Sequence, residues 1–180
     1  VVITLNQHKP VALSSRQLIF GDGRYWLLAL VVLLLAGCAS RPTISPIVQQ
    51  QRPAVVAYAL SLKGTPYRYG KASPREGFDC SGFVQHVYEH HGIDLPRTSR
   101  EMAQALPAVP KTRLQSGDLV FFNTNGRPYS HVGIYVDNDS FVHAPSRRTG
   151  RVLVSSLKNR YWRKRLNGIR RPNHFHLTAR

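Results

Sequence analysis

A cysteine and two histidines carry the chemistry on offer in this chain. Cys80 lies in Phe78-Asp79-Cys80-Ser81-Gly82-Phe83-Val84, His131 in Ser130-His131-Val132-Gly133-Ile134-Tyr135-Val136, and His143 in Phe141-Val142-His143-Ala144. A thiolate is a nucleophile, and an imidazole beside it can take the thiol proton and later return it to a leaving group. An ordinary thiol, with a pKa near 8.5, is only slightly ionised at neutral pH. Cys80 begins a predicted helix, Cys80–His91, and a helix N-terminus favours the anion. The expectation is therefore a thiol with a lowered pKa. The bland alternative is a buried core cysteine, which the polar neighbours Asp79 and Ser81, with Gly82 next, make less natural.

The two histidines fall on consecutive predicted strands joined by the Asp137-Asn138-Asp139-Ser140 turn. Pairing symmetric about that turn sets His143 opposite Ile134 and points the imidazoles to opposite faces. A shift of one residue sets His143 opposite Gly133 or Tyr135, on the face His131 uses. The sequence leaves the register open.

Metal chemistry is the competing use of such residues. His86-Val87-Tyr88-Glu89-His90 matches the H-x-x-E-H pattern of a zinc peptidase. These three side chains lie off the apolar stripe of Phe83, Val84, Val87 and Tyr88, and no glutamate follows Glu101 to complete a ligand set. Cys80, His131 and His143 could also form a three-ligand zinc site. The preferred reading holds no metal and no cofactor.

The elements that must position these groups are readable from spacing and punctuation. A helix is predicted over Ala54 to Leu62, between Pro53 and Gly64. Thr65 to Gly77 is turn-rich. After the Cys80–His91 helix, Thr98 and Glu101 form a capping box for a short helix to Leu106. Strands are predicted at Leu119–Phe122, His131–Val136, Phe141–Ala144, Arg151–Ser155 and Arg163–Ile169. Helices first and strands afterwards imply an α+β fold, with N-terminal helices packed on a C-terminal antiparallel sheet.

Outside that domain, Tyr25 to Ala36 is an apolar run of about a dozen residues after Arg24. A membrane span needs roughly 20, so residues 1–37 read as a signal peptide. The run ends in Leu35-Ala36-Gly37-Cys38, which resembles the bacterial lipoprotein box and implies acylation of Cys38. Residues 38–52 read as a flexible tether, 53–173 as the domain, and 174–180 as a tail holding His174 and His176. With Cys38 acylated, Cys80 has no disulfide partner. An unpaired thiol in an exported protein suggests a reactive one. The chain has 25 Lys plus Arg against 9 Asp plus Glu, a net charge of +16. Most of that basicity belongs to the domain, since only Lys9, Arg16, Arg24 and Asp22 fall before residue 38. Such a charge favours anionic lipid or acidic cell-wall polymers, and export argues against nucleic acid.

Five motifs in order resemble the NlpC-type cell-wall peptidase family. They are Thr65-Pro66-Tyr67-Arg68-Tyr69-Gly70, the Phe78–Val84 and Ser130–Val136 segments, Ser116-Gly117-Asp118-Leu119-Val120-Phe121-Phe122, and Phe141–Ala144. The resemblance covers roughly Ala54 to Arg171 and implies a permuted papain-like domain. It makes Cys80 the nucleophile, His131 the base and His143 the residue that orients His131. Tyr67 is implied near the thiol as a substrate-positioning or oxyanion group. Asp79 and Ser81 match positions that in some members recognise a substrate amino group. Gly70 is followed by Lys71, where a second glycine is common.

The implied function is a murein endopeptidase, a cysteine peptidase cutting amide bonds in peptidoglycan stem peptides or cross-links. It would be held as a lipoprotein at the bacterial envelope. Ala39 after the cysteine points to the outer membrane, facing the periplasm. A non-catalytic wall-binding or scaffold lipoprotein is the alternative, with Arg147, Arg148, Arg151 and Arg160–Arg165 docking anionic polymer. A protein that regulates the activity would be a further partner.

Overall fold

A computed structural model of the chain describes residues 46–172, with side chains from residue 54. The predicted signal peptide, Cys38 and the tail lie outside those residues. Among the described residues four α-helices, α1 (Pro46–Ser61), α2 (Cys80–Glu89), α3 (Ser99–Ala105) and α4 (Arg160–Arg165), accompany seven strands. Strands β1 (Ala72–Ser73) and β2 (Gly77–Phe78) form a small hairpin. The others are β3 (Leu119–Phe122), β4 (His131–Tyr135), β5 (Ser140–His143), β6 (Leu153–Ser156) and β7 (Leu166–Arg170). They make one antiparallel sheet in the order β6-β5-β4-β3-β7. Helices α1 to α3 precede the five-stranded sheet, as the α+β reading expects, and α4 interrupts it between β6 and β7.

The apolar stripe of α2 explains its seat. Phe83, Val84, Val87 and Tyr88 are all buried, and they share a core with Val55, Val56 and Ala59 of α1 and with Leu119, Phe121, Val132, Ile134 and Val142 of the sheet. The Tyr88 hydroxyl donates to the Gly117 carbonyl and ties the helix to the turn before β3. A smaller core of Val120, Phe122, Phe141, Leu157 and Ile169 lies with Trp162 packed against it.

Three expectations need correction. The first helix begins at Pro46, so seven residues assigned to the tether are helical. Arg151 makes only a single bridge to Pro66, and the strand starts at Leu153. The predicted strand over Arg163–Ile169 is a short helix followed by a strand. Asn159 starts that helix by accepting from the Tyr161 N–H, and the Arg165 guanidinium lies 3.8 Å over the Tyr161 ring one turn earlier. The capping box of α3 is present as read, with Thr98 and Glu101 bonded reciprocally.

Candidate active site

Helix α2 presents Cys80 as its first residue because Asp79 caps it. The Asp79 carboxylate accepts from the Gly82 N–H at 2.7 Å, and its backbone is extended, which ends the preceding β2 and turns the chain into the helix. Residue 82 must be glycine at this junction: a Cβ there would run into the Lys71 carbonyl. Cys80 is half-buried and free. Its sulfur is not sealed in hydrocarbon, for the backbone N–H groups of Val132, Ser81 and Cys80 itself point at it.

The thiol pKa runs against the sequence expectation. Burial, and then the Asp79 carboxylate beside it, push Cys80 up to about 11. The three N–H groups act in the other direction and lose. A helix N-terminus does favour an anion, but here the capping anion takes that role and then repels a second charge. Burial and the carboxylate thus favour the neutral thiol at Cys80.

Strand β4 begins with His131, and β5 ends with His143. The register between them is Ile134 with Val142 and Tyr135 with Phe141, so continuing the ladder sets His143 opposite Gly133. This is the shifted register, the one that shares a face between the imidazoles. Gly133 makes the arrangement possible, since a Cβ there would come within 3.1 Å of the His143 Cβ and 2.8 Å of the Phe141 ring. His131 Nε2 and His143 Nδ1 lie 2.8 Å apart, and His143 Nε2 lies 2.9 Å from the Ser155 hydroxyl on β6. The hydrogen-bonded chain Ser155–His143–His131 thus crosses three strands and ends beside Val132, whose N–H faces the sulfur. His131 Nδ1 remains outside that chain.

Both imidazoles are buried, and burial pushes His131 down to about 4. His143 is held well below its ordinary value by burial and by His131. Trp162 of α4 supplies part of the enclosure. Its ring stacks on His131 at 5.4 Å and meets His143 edge-on at 4.8 Å.

Tyr67 is half-buried and packs against the same core as Cys80. Its phenol pKa is raised by burial, then by the charges of Cys80 and Asp79, so it stays a proton donor. It borders a groove with Pro66, Arg68, Lys71, Arg147 and Gly150. Asp79 and Ser81 flank the thiol and share a partner that sequence reading missed. Arg97 donates Nη1 to Asp79 Oδ1 (3.1 Å) and to Ser81 Oγ (3.0 Å), and Nη2 to Asp79 Oδ2 (2.7 Å). Ser155 and Trp162 were missed as well. None has a local signal, because each reaches the site through a pairing or a loop whose path the residues alone do not set.

The H-x-x-E-H residues are differently employed. The Tyr58 hydroxyl bonds His86 Nε2 at 2.9 Å, and the Tyr58 ring stacks on His90 at 3.8 Å. Among the described residues no three His, Cys, Asp or Glu side chains converge as a metal site.

The model of the NlpC/P60 family matches residues 64–171. The chain is 39% identical over 155 residues to the probable endopeptidase NlpC of Escherichia coli, covering 82% of this chain and 99% of that one. It is 46% identical over 129 residues to the murein DD-endopeptidase MepH of the same organism, covering 69% of this chain and 47% of MepH. The chain thus spans about half the length of MepH. Among solved structures, a Staphylococcus aureus protein described as similar to lipoprotein, of the NLP/P60 family, superposes with a TM-score of 0.64 at 32% identity. That match covers 81% of this chain and 48% of the other.

Proposed function

Because the chain belongs to the NlpC/P60 family, we propose that it is a cysteine peptidase that hydrolyses amide bonds in peptidoglycan peptides. The hydrogen-bonded chain Ser155–His143–His131, ending beside the thiol-bearing helix, carries this reading. The murein DD-endopeptidase MepH among its relatives supplies the substrate class.

The tautomers follow from the role. For His131 Nδ1 to accept the thiol proton, Nε2 must carry the other hydrogen and donate it to His143 Nδ1. His143 then carries its proton on Nε2 and donates to Ser155 Oγ. Every donor points away from the thiol, and the accepting lone pair is left for it. His143 is uncharged, so it fixes the tautomer and the ring plane without a negative charge.

In the resting pair the proton to be transferred lies on sulfur. As a substrate carbonyl arrives, that proton moves to His131 Nδ1 and the sulfur lone pair attacks the carbonyl carbon. The carbonyl oxygen becomes an oxyanion, received by the Cys80 backbone N–H and the Tyr67 hydroxyl. Collapse breaks the C–N bond, and the imidazolium proton leaves with the amine. Water, deprotonated by the same imidazole, then releases the acyl group from sulfur. Trp162 stacked on His131 keeps bulk water from the histidine hydrogen bond.

The cross-link between stem peptides is the bond we assign, by likeness to the DD-endopeptidases. We also assign a lipid anchor to Cys38 and an outer-membrane location, on the Leu-Ala-Gly-Cys sequence and Ala39. Labelled palmitate incorporated by the wild type and lost in Cys38→Ser checks the anchor.

The full chain in mild detergent, incubated with purified muropeptide dimers, tests the activity by mass spectrometry of the products. Cleavage is expected for the wild type, blocked by iodoacetamide and unaffected by EDTA. Cys80→Ala should be inert, and His131→Ala should lose about 10²-fold or more. Equal cleavage by Cys80→Ala would overturn the thiol mechanism, and binding without cleavage would favour a wall-binding protein.

A further inference from the structure

When His131 takes the thiol proton it becomes a buried cation, and no anion stands ready for it. In a Ser-His-Asp triad a carboxylate faces the imidazolium. Here the third group is the uncharged imidazole of His143, and beyond it stands the Ser155 hydroxyl. Burial is the sole influence on the His131 pKa, and burial and His131 are the only ones on His143. No carboxylate acts on either ring, and neither do the α4 cations Arg160, Arg163, Lys164 and Arg165. The titratable groups that bear on His131 are His143, from β5, and, in the proposed reaction, the Cys80 thiol of α2.

Three rings meet His131. Phe122 of β3 lies tilted at 6.1 Å, His143 of β5 edge-on at 5.0 Å, and Trp162 of α4 at 5.4 Å with the ring planes only 27° apart. Of the three, only Trp162 is stacked on the imidazole. An aromatic face carries negative potential and attracts a cation within about 6 Å of its centre, indole most strongly. The indole is also held in place. Phe122 at 4.9 Å, Phe141 at 5.3 Å and His143 at 4.8 Å meet it at steep angles of 64°, 84° and 87°. A face fixed before the charge arrives costs no reorganisation when it does.

We propose that Trp162 is a positioning residue for the reaction, whose indole face stabilises the imidazolium that His131 becomes. It does the electrostatic work that a carboxylate does in a charged triad. The S–H bond breaks, the Nδ1–H bond forms, and the positive charge spreads over a ring stacked on indole. That charge is absent at rest and present in the transition state, so the contact lowers the barrier and not the resting energy. The assignment rests on the peptidase reading and gives Trp162 a role beyond excluding water.

Fluorine weakens the negative potential of an indole face with little change in its shape. The test places tryptophan and its mono-, di- and trifluorinated forms at residue 162 of the full chain by nonsense suppression, with the protein kept in detergent. On muropeptide dimers near neutral pH, kcat/KM should fall stepwise, by about tenfold from the unsubstituted to the trifluorinated ring, a large part of what a desolvated cation–π contact is worth. A packing group or a water shield would leave the four proteins alike. Trp162→Phe, which keeps a smaller face, should retain more activity than Trp162→Leu, and that pair decides if a fluorinated protein fails to fold.

Imidazole ¹⁵N shifts read the protonation of His131 with no substrate present, and His131→Gln assigns the signal. The midpoint should lie near 4 with the unsubstituted ring and move down by about one pH unit across the series, because a weaker face makes the cation harder to form. Water admitted to the site would move it up instead, so the sign separates the electrostatic role from shielding. Equal kcat/KM across the series, or a midpoint that stays or rises, would overturn the assignment. A falling midpoint in proteins that cleave nothing would overturn the peptidase reading and leave the stacked pair standing.

Discussion

Two arginine–aspartate forks in this domain are alike in chemistry and different in setting. Arg97 grips Asp79 beside the thiol. Arg171 grips Asp118 at the start of β3, with Nε to Oδ1 at 2.7 Å and Nη2 to Oδ2 at 2.8 Å. The second fork also reaches the Arg113 carbonyl, and Asp118 accepts from the Gln115 N–H. It therefore straps the chain after β7 to the turn that launches β3. Its side chains are 18% and 1% exposed, against 37% and 11% for the fork at the cleft. The enclosed fork has only protein to bind. The open one keeps part of its guanidinium in solvent, and its carboxylate also raises the thiol pKa. A third polar set, the Ser155–His143–His131 chain, buries its two imidazoles without an acidic partner.

The comparison predicts its largest effect at the enclosed fork. Asp118→Ala leaves the Arg171 charge without its partner and the Gln115 N–H without its acceptor. A loss of about 3–5 kcal/mol is expected, read as a fall in the urea midpoint with an unchanged slope. A loss under about 1 kcal/mol would show that the strap is dispensable and the contrast with the cleft false.

A smaller effect is expected from pH. The unfolded histidines take up protons near pH 6.5, whereas burial holds His131 down to about 4 and His143 well below its ordinary value. Between those limits the unfolded chain binds more protons, so stability rises with pH. The contribution is complete above about pH 6.5 and drains as pH falls toward 4, by about 2–3 kcal/mol for His131. Cys80 works oppositely at the alkaline end. Its folded pKa of about 11 lies above the ordinary thiol range of about 8.5–9, so stability present below that range is lost as pH rises through 11. Urea midpoints across pH 4–11 check both limbs, and His131→Gln should flatten the acid one.

The parts of this site that were legible were those written locally. The start of α2 at Cys80, the α3 capping box and the strands carrying His131 and His143 follow from spacing and punctuation, and the five ordered motifs added the family. What was not legible depends on pairing. One residue of register decides whether the imidazoles meet, and the turn residues permit either answer. Asn138 and Asp139 both take left-handed backbone, with φ of 44° and 60°, a feature their types allow without demanding. Arg97 reaches Asp79 from a loop 18 residues downstream. The thiol pKa departs from the helix-end expectation first because the fold buries the sulfur and then because the capping carboxylate sits beside it, and neither is written at Cys80 itself.

The cleft fork should cost less than the enclosed one, and the cost can be divided. Asp79→Ala removes both the cap of α2 and the partner of Arg97. A lost cap alone is worth about 0.5–2 kcal/mol, and an ion pair as exposed as this one adds little. About 1–2 kcal/mol is expected in total, below the effect of Asp118→Ala. Asp79→Asn keeps an oxygen for the Gly82 N–H and should recover most of that loss. The same substitution removes the charge that opposes the thiolate, so the alkylation rate of Cys80 by iodoacetamide should rise at a fixed pH near neutrality. A structural carboxylate would restore stability in Asn and leave the thiol unchanged. Stability regained with faster alkylation would separate the two duties of Asp79. At the bottom of the scale stands Lys71 with Glu76, an exposed pair on the rim of the groove. Glu76→Gln should leave the urea midpoint where it was, and a measurable shift there would mean that exposure does not rank these ion pairs at all.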